Sequence, residues 1–564
     1  MKFTTVAAFL SLIPASFAAN SVFIGHDEYI NYGLSGYGFV PGDAVDKYKD
    51  TISFGSSISL HKPSLSVSKG VYSFVTYNLP DRGWNTNGTL NYAPRIHKYG
   101  VIFTPKNSSD SANLVWNYQD TILLKDFNGQ LMTGLDCNTT LHQNGHTLPA
   151  TQFVGDGFGG GLNTNSTTTR VCLDPEALRI VKNDISNGFW ITDEYGPGIF
   201  KFDSNGTLID YTLPPDAIIP FRNDTVSFSA NSPPLYEDYD LGDPDSGRGN
   251  NQGFEGAAVS PDGKHVYALL QSAAIQEGGS EKYTSEYVRM VKYDVSGSSP
   301  LLEAEYVLRL PTYEDPEKEA AKNPRVAAQS ELVYLSDEIF MVLARDSGRG
   351  RAQDNTTSIY RHADLYSIAN ATNIAGKYDN MGDKIASKKG KLEDGITTAT
   401  YYSFLDYNNQ TELSKFGLHN GGNDDSMLLN EKWEGITLIP VECTTDEYFL
   451  LTVSDDDFIT QNGFMNFGKF PYSDLSGANL DNQALVFHVK LPALTHENTC
   501  TALSSQPANS TNGAATSSAV QALLETRTTT AHGSTSLAVS IASDVGSGLR
   551  SSVFGLLPLV LALL

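Results

Sequence analysis

The chain has 564 residues, and 64 Asp and Glu against 39 Lys and Arg leave a formal net charge of -25. That balance argues against a nucleic-acid or anionic-membrane partner, which rewards a cationic face, and suits a site that holds a cation. No G-x-S-x-G nucleophile elbow and no H-E-x-x-H zinc helix occurs, so the sequence carries no sign of those two hydrolase chemistries.

Met1 and Lys2 precede an apolar run over 6–13 and a small-residue exit over 15–19. This layout predicts a cleavable secretory signal over 1–19, because the run is too short to cross a bilayer. A strand follows at 21–25 (SVFIG), and a hairpin pairs 54–60 (FGSSISL) with 71–81 (VYSFVTYNLPD). The stretch 82–173 is long enough to hold a further unit.

Four units then share one pattern, a Glu opening a short apolar strand, a turn, and a second strand. They pair 174–180 (DPEALRI) with 188–194 (GFWITDE) and 253–260 (GFEGAAVS) with 265–271 (HVYALLQ). Next come 330–335 (SELVYL) with 338–346 (EIFMVLARD) and 433–439 (WEGITLI) with 447–455 (EYFLLTVSD). In the clearest unit, strands 198–202 and 207–213 follow around a turn at 203–206. A single short helix is predicted over 315–321 (DPEKEAA).

Four antiparallel strands repeated along a chain make the β-propeller blade. The prediction is therefore an all-β propeller over 20–500 with six blades, five to seven being compatible with the phases. The strand 484–491 and the N-terminal strand would share the last blade. A pair of β-sandwiches is the competing architecture, but it does not require phased Glu-strand units.

Beyond this domain, 504–543 is a Ser/Thr-rich stalk that cannot bury enough apolar surface to order itself. Residues 544–564 end in VFGLLPLVLALL and read as a glycosylphosphatidylinositol signal, removed with attachment at Ser540, Ala542 or Ser543, of which Ser543 is the choice, so the membrane is met through that anchor only. Sequons stand at Asn87, Asn107, Asn138, Asn165, Asn205, Asn223, Asn355, Asn370, Asn409 and Asn509. In an oxidising route the four cysteines predict two disulfides, Cys137 with Cys172 and Cys443 with Cys500, paired by proximity.

In an antiparallel hairpin the start of the first strand and the end of the second lie at the same end. Glu176, Glu255, Glu331 and Glu434 should therefore meet at one channel mouth, with Asp81, Asp193, Glu194, Asp346, Asp455 and Asp456. Carboxylates so crowded either take up protons or bind a cation, and without Cys or His the expected ion is calcium. The metal ligands expected are Asp81, Glu176, Glu255, Glu331, Asp346, Glu434 and Asp455. Arg82 and Arg345 adjoin the same strand ends and are suited to a phosphate. The repeated Asp-Ser-Gly-Arg-Gly at 245–249 and 346–350 places Arg248 and Arg349 in loops, where solvated ion pairs are the simpler account. His142 and His146 have metal-pair spacing but lie in a Gly- and Asn-containing loop and are read as surface residues.

Asp174-Pro-Glu-Ala-Leu, the segment 191–202 (ITDEYGPGIFKF), Glu255-Gly-Ala and Trp433-Glu-Gly-Ile together resemble the phytase-like domain family, "esterase-like activity of phytase". The resemblance spans 54–491 and departs at Ala177, where the family usually has Gly. It implies a propeller-like domain and a phosphoester or carboxyester hydrolase acting on a small molecule. In the phosphoester version calcium holds the phosphate, Arg82 and Arg345 neutralise charge, and Asp193 and Glu194 handle the attacking water. A calcium-dependent lactonase or carboxylesterase, and a non-catalytic surface binding protein, are the alternatives.

Overall fold

The computed structural model describes residues 20–152 and 169–498. Strand occupies 45% and helix 4%, so the fold is all-β with curled sheets. Strand β1 (Asn20–Ile24) pairs with β2 (Asp27–Val40), and β3 (Ser57–Ser68), β4 (Val71–Leu79), β5 (Arg95–Phe103) and β6 (Leu114–Leu123) form the first antiparallel sheet. A three-stranded sheet follows, from β7 (Thr139–Gln143), β8 (His146–Thr151) and β9 (Arg170–Val171).

The next sheets are β10 (Pro175–Ile180), β11 (Phe189–Asp193), β12 (Ile199–Phe202) and β13 (Leu208–Thr212), then the ribbon β14 (Phe221–Arg222) and β15 (Thr225–Val226). After them come β16 (Phe254–Val259), β17 (His265–Leu270), β18 (Tyr287–Asp294) and β19 (Leu301–Arg309), and the ribbon β20 (Thr312–Tyr313) and β21 (Arg325–Val326). The fourth sheet holds β22 (Ala328–Tyr334), β23 (Ile339–Arg345), β24 (Arg361–Ser367) and β25 (Thr400–Asp406).

The last sheet joins both ends of the domain. Its order is β1, β2, β30 (Asn482–Lys490), β27 (Glu447–Asp455) and β26 (Lys432–Pro440), with the ribbon β28 (Gly463–Met465) and β29 (Phe470–Tyr472) in the connection. The N-terminal strand was expected here; it arrives with β2, which makes the contact to β30.

Each inner strand touches two others: β3 packs on β10 and β26, β16 on β10 and β22, and β22 on β26. This placement explains the residue pattern. Strand β11 (FWITD) is buried throughout, as a strand covered on both faces must be, whereas β13 (LIDYT) alternates toward solvent. All described residues belong to one contact-dense unit.

Two expectations are corrected. Five sheets of four or more strands are present among the described residues, not six. The stretch 82–173 supplies β5 and β6, which complete the first sheet by pairing onto β4, and then, among the described residues, the three strands β7–β9. The helix expected over 315–321 is absent; Asp315 turns the chain by accepting from the Glu317 amide, and only a 3-10 turn at Ala320–Lys322 follows. The α-helix of the described residues is α1 (Gln410–Ser414), capped by the Asn409 side chain.

Candidate functional site

The four Glu-led strands all slip register at their first residues, between Pro175 and Leu178, Phe254 and Gly256, Gln329 and Glu331, and Trp433 and Gly435. Such bulges re-aim the side chains beside them. Counted from the last paired residue, Glu176, Glu255 and Glu434 are equivalent, and their counterpart in β22 is Ser330. Glu331 lies one residue further on, opposite in facing, because side chains alternate along a strand. It accepts from Ser57 Oγ at 2.9 Å and the Leu332 amide at 2.9 Å, and it pairs with Arg179. Glu331 therefore does not join the acidic mouth. The equivalent residue in β16 is Gly256, where a Cβ would stand 2.7 Å from the Leu332 amide nitrogen, so the inner strands approach too closely there for a side chain.

The acidic residues themselves divide into two carboxylate groups. In the first, oxygens of Asp174, Glu176 and Glu194 all lie within 4.8 Å of one another. Arg82, just beyond β4, donates from Nη1 to Asp174 Oδ2 at 2.8 Å, from its amide to Oδ1 at 3.1 Å, and also to Asn251. Glu194 Oε1 and the neighbouring Glu255 Oε2 are buried without a hydrogen-bond partner. Burial, then the Asp174 charge, pushes the Glu194 carboxyl up to about 8. Burial and the surrounding carboxylates push Glu176 and Glu255 upward as well.

The second group is Asp81, Asp455 and Asp457, also within 4.8 Å. Lys432 Nζ stands 2.7 Å from Asp457, 3.5 Å from Asp455, 3.6 Å from Glu434 and 3.9 Å from Asp81. Glu434 also receives Arg345 Nη2 at 2.6 Å, while its Oε2 stays buried and unpaired. Burial pushes the Asp455 carboxyl up, but Lys432 and the Ser53 hydroxyl outweigh it and hold the group low.

Several expected site residues have other work. Asp193 accepts the amides of Asp174 at 2.9 Å, Tyr195 at 3.1 Å and Gly196 at 2.7 Å, so it ties the turn after β11. Asp346 accepts Ser358 Oγ at 2.7 Å and the Ile359 amide at 2.6 Å, which uses its carboxylate in a loop. Asp456 accepts Asn482 Nδ2 at 2.7 Å and the Phe458 amide at 3.0 Å. The two repeated-motif arginines are buried clamps, not solvated pairs. Arg248 donates to the carbonyls of Tyr195, Gly249, Phe228 and Ser229, and Arg349 pairs with Asp315 and Glu317.

Asp174, Lys432, Asp457 and Asn251 are the site residues missed in the sequence. Asp174 and Lys432 stand two residues before Glu176 and Glu434, so proximity to those Glu-led strands is the signal that marks them. Their role depends on a bulge, which spacing does not reveal.

Cys137 and Cys172 form the expected disulfide, with Cα atoms 6.0 Å apart. The second expected pair, the sites Asn165, Asn509 and Ser543, and the segments 1–19, 504–543 and 544–564 lie wholly or partly outside the described residues. Asn87, Asn107, Asn138, Asn205, Asn223 and Asn370 are exposed, and Asn355 and Asn409 are half-buried. His142 and His146 sit on the β7–β8 hairpin, His142 against Thr147 and His146 stacked on Phe127, which agrees with a surface reading.

Residues 118–458 match the phytase-like family, described as "Esterase-like activity of phytase". The chain belongs to that family. This phytase-like protein is also 45% identical over 462 residues to an "Uncharacterized secreted protein" of Arthroderma benhamiae, a match covering 78% of this chain and 89% of the relative. Among solved structures, an alpha-L-arabinanase mutant of Cellvibrio cellulosa matches at 10% identity and TM-score 0.23, over 71% of this chain and 87% of that one. An ancestral GH74 enzyme matches at 9% identity and TM-score 0.22, over 82% and 57%. Likeness at that level says nothing about the activity of the phytase-like protein.

Proposed function

We propose that this phytase-like protein is an extracellular hydrolase of small phosphoesters, working with calcium at the acidic mouth. The observation that carries the reading is the Asp174–Glu176–Glu194 group, where a buried Glu194 oxygen has no partner while the Arg82 guanidinium stands alongside. An all-carboxylate donor set without His or Cys fits a hard cation. Asp174, Glu176 and Glu194 would hold calcium, which when bound supplies positive charge to a phosphoryl group.

The chain's own residues set the rest. Once ionised, the carboxylates of Asp81, Asp174, Glu176, Glu194, Glu255, Glu434, Asp455 and Asp457 outnumber Arg82, Arg345 and Lys432, and they would repel a phosphate from the mouth unless a cation supplies charge. Arg82 and Arg345 each keep a buried Nε–H without a partner, a donor available to a phosphate oxygen. Glu194, whose Oε1 is buried without a partner, is the group suited to take a proton from attacking water and return it to the leaving alcohol once the bound cation keeps it ionised. Asp193 shapes the turn that presents Glu194.

The cyclic packing of inner strands supports a closed five-bladed propeller around this mouth. The signal-like 1–19, the exposed sequons, the disulfide and the secreted relative support an extracellular, glycosylated protein, and the C-terminal pattern supports a glycolipid anchor at Ser543.

The test is inorganic phosphate release from a panel of phosphomonoesters, inositol phosphates included, with calcium or with chelator. Release that needs calcium and is lost in Glu194→Gln is the expected result. Turnover of lactones or carboxylesters alone would favour the esterase alternative, and no turnover of any class by calcium-loaded protein would leave a binding platform.

A further inference from the structure

Two carboxylate groups share the mouth, and they differ in one respect. Asp81, Asp455 and Asp457 surround the Lys432 ammonium, which reaches four carboxylates within 3.9 Å when Glu434 is included. Asp174, Glu176 and Glu194 have no lysine; their nearest cation, Arg82, engages Asp174. On this side Glu194 Oε1 and Glu255 Oε2 are left unpaired although both residues are at least nine-tenths buried. A cluster of this kind needs compensating charge, and the chain sets an ammonium among the carboxylates of one group, whereas the other has Arg82 on Asp174 and keeps free oxygens.

We infer that Lys432 is a tethered cation that fills the Asp81–Asp455–Asp457 site in place of a metal, so that the mouth takes a single exchangeable divalent cation, at Asp174–Glu176–Glu194. The inference rests on the calcium reading for the second group, but its claim about Lys432 stands apart. The ammonium is compact, and its stem comes from the first residue of β26, one step before Trp433 and two before Glu434. Asp457 and Lys432 are partly open to solvent, so removing the ammonium exposes three converging carboxylates to ions from the mouth. Glu434 Oε2, buried and unpaired beside them, adds a further free oxygen.

The experiment is calorimetric titration of the purified protein with calcium chloride alone, together with thermal unfolding with and without calcium. The native protein should bind about one calcium ion, and Lys432→Met should bind about one more and gain a larger calcium-dependent rise in Tm. In the native background, Asp457→Asn should leave calcium affinity within about twofold, whereas Glu194→Gln should weaken it at least about tenfold. The Asp457→Asn arm stands even where Lys432→Met fails to fold. Two ions bound by the native protein, no gain in a folded Lys432→Met, or loss of native binding in Asp457→Asn would each overturn the inference. A native protein that binds none while Lys432→Met binds one would support the role of Lys432 and remove the calcium reading.

Discussion

Arg179 and Glu331 form an ion pair between β10 and β22, two inner strands separated by β16. The guanidinium also donates to the carbonyls of Ala257 at 2.7 Å and Leu332 at 2.9 Å and to Ser57 Oγ at 3.1 Å, so one side chain binds three other inner strands.

Glu331→Gln should therefore destabilise the domain by about 3 kcal/mol, the scale for breaking a buried pair by removing one partner. Urea unfolding measures this. Calcium affinity and phosphate release should stay within about twofold, since Glu331 faces away from the mouth; a large loss of calcium binding would return Glu331 to the ligand set.

Asp193→Ala strips an acceptor from three backbone amides at once. A loss of about 3 kcal/mol in stability is expected, from a single unsatisfied-group cost of roughly 1–3 kcal/mol partly relieved by water. Asp193→Asn keeps an acceptor and should lose less. Similar stability in both variants would show that the turn does not depend on this carboxylate.

Glu194→Gln is the contrasting case. Its unpaired, buried oxygen makes no contact that the fold needs, so stability without calcium should be equal or higher. Phosphate release should fall by about 100-fold, or roughly 2.8 kcal/mol of transition-state stabilisation. An active variant would exclude Glu194 from proton transfer.

Burial holds the Asp193 carboxyl at about 7 and that of Glu194 at about 8. Folding thus retains protons that an unfolded chain releases near pH 4. Their stabilising contribution is present below ordinary carboxylate values and is lost as pH rises through about 7 to 8. With chelator, Tm should fall between about pH 5 and pH 8, and calcium should reverse the fall at the upper end. Calcium affinity should rise over the same range as its ligands lose protons. Asp455, held low, contributes the opposite slope only in acid.

Asn355 donates its Nδ2 to Glu317 at 2.6 Å and is half-buried, whereas Asn205 and Asn370 are exposed. Glycopeptide mass spectrometry should find the exposed sites occupied and Asn355 bare, because the nitrogen that would carry the sugar is already engaged.

Sequence alone determined the all-β class, the hairpins at β10–β11, β16–β17, β22–β23 and β26–β27, the Cys137–Cys172 bridge and the family. Each is written locally, in apolar runs, turn residues and short motifs. Tertiary structure decided which side chains meet. A one-residue bulge makes Ser330, not Glu331, the counterpart of Glu176, Glu255 and Glu434, since one step along a strand reverses the direction a side chain faces. Lys432 acquires its role only when β4, β26 and the end of β27 bring Asp81, Asp455 and Asp457 around one ammonium, and no spacing in the chain records that convergence.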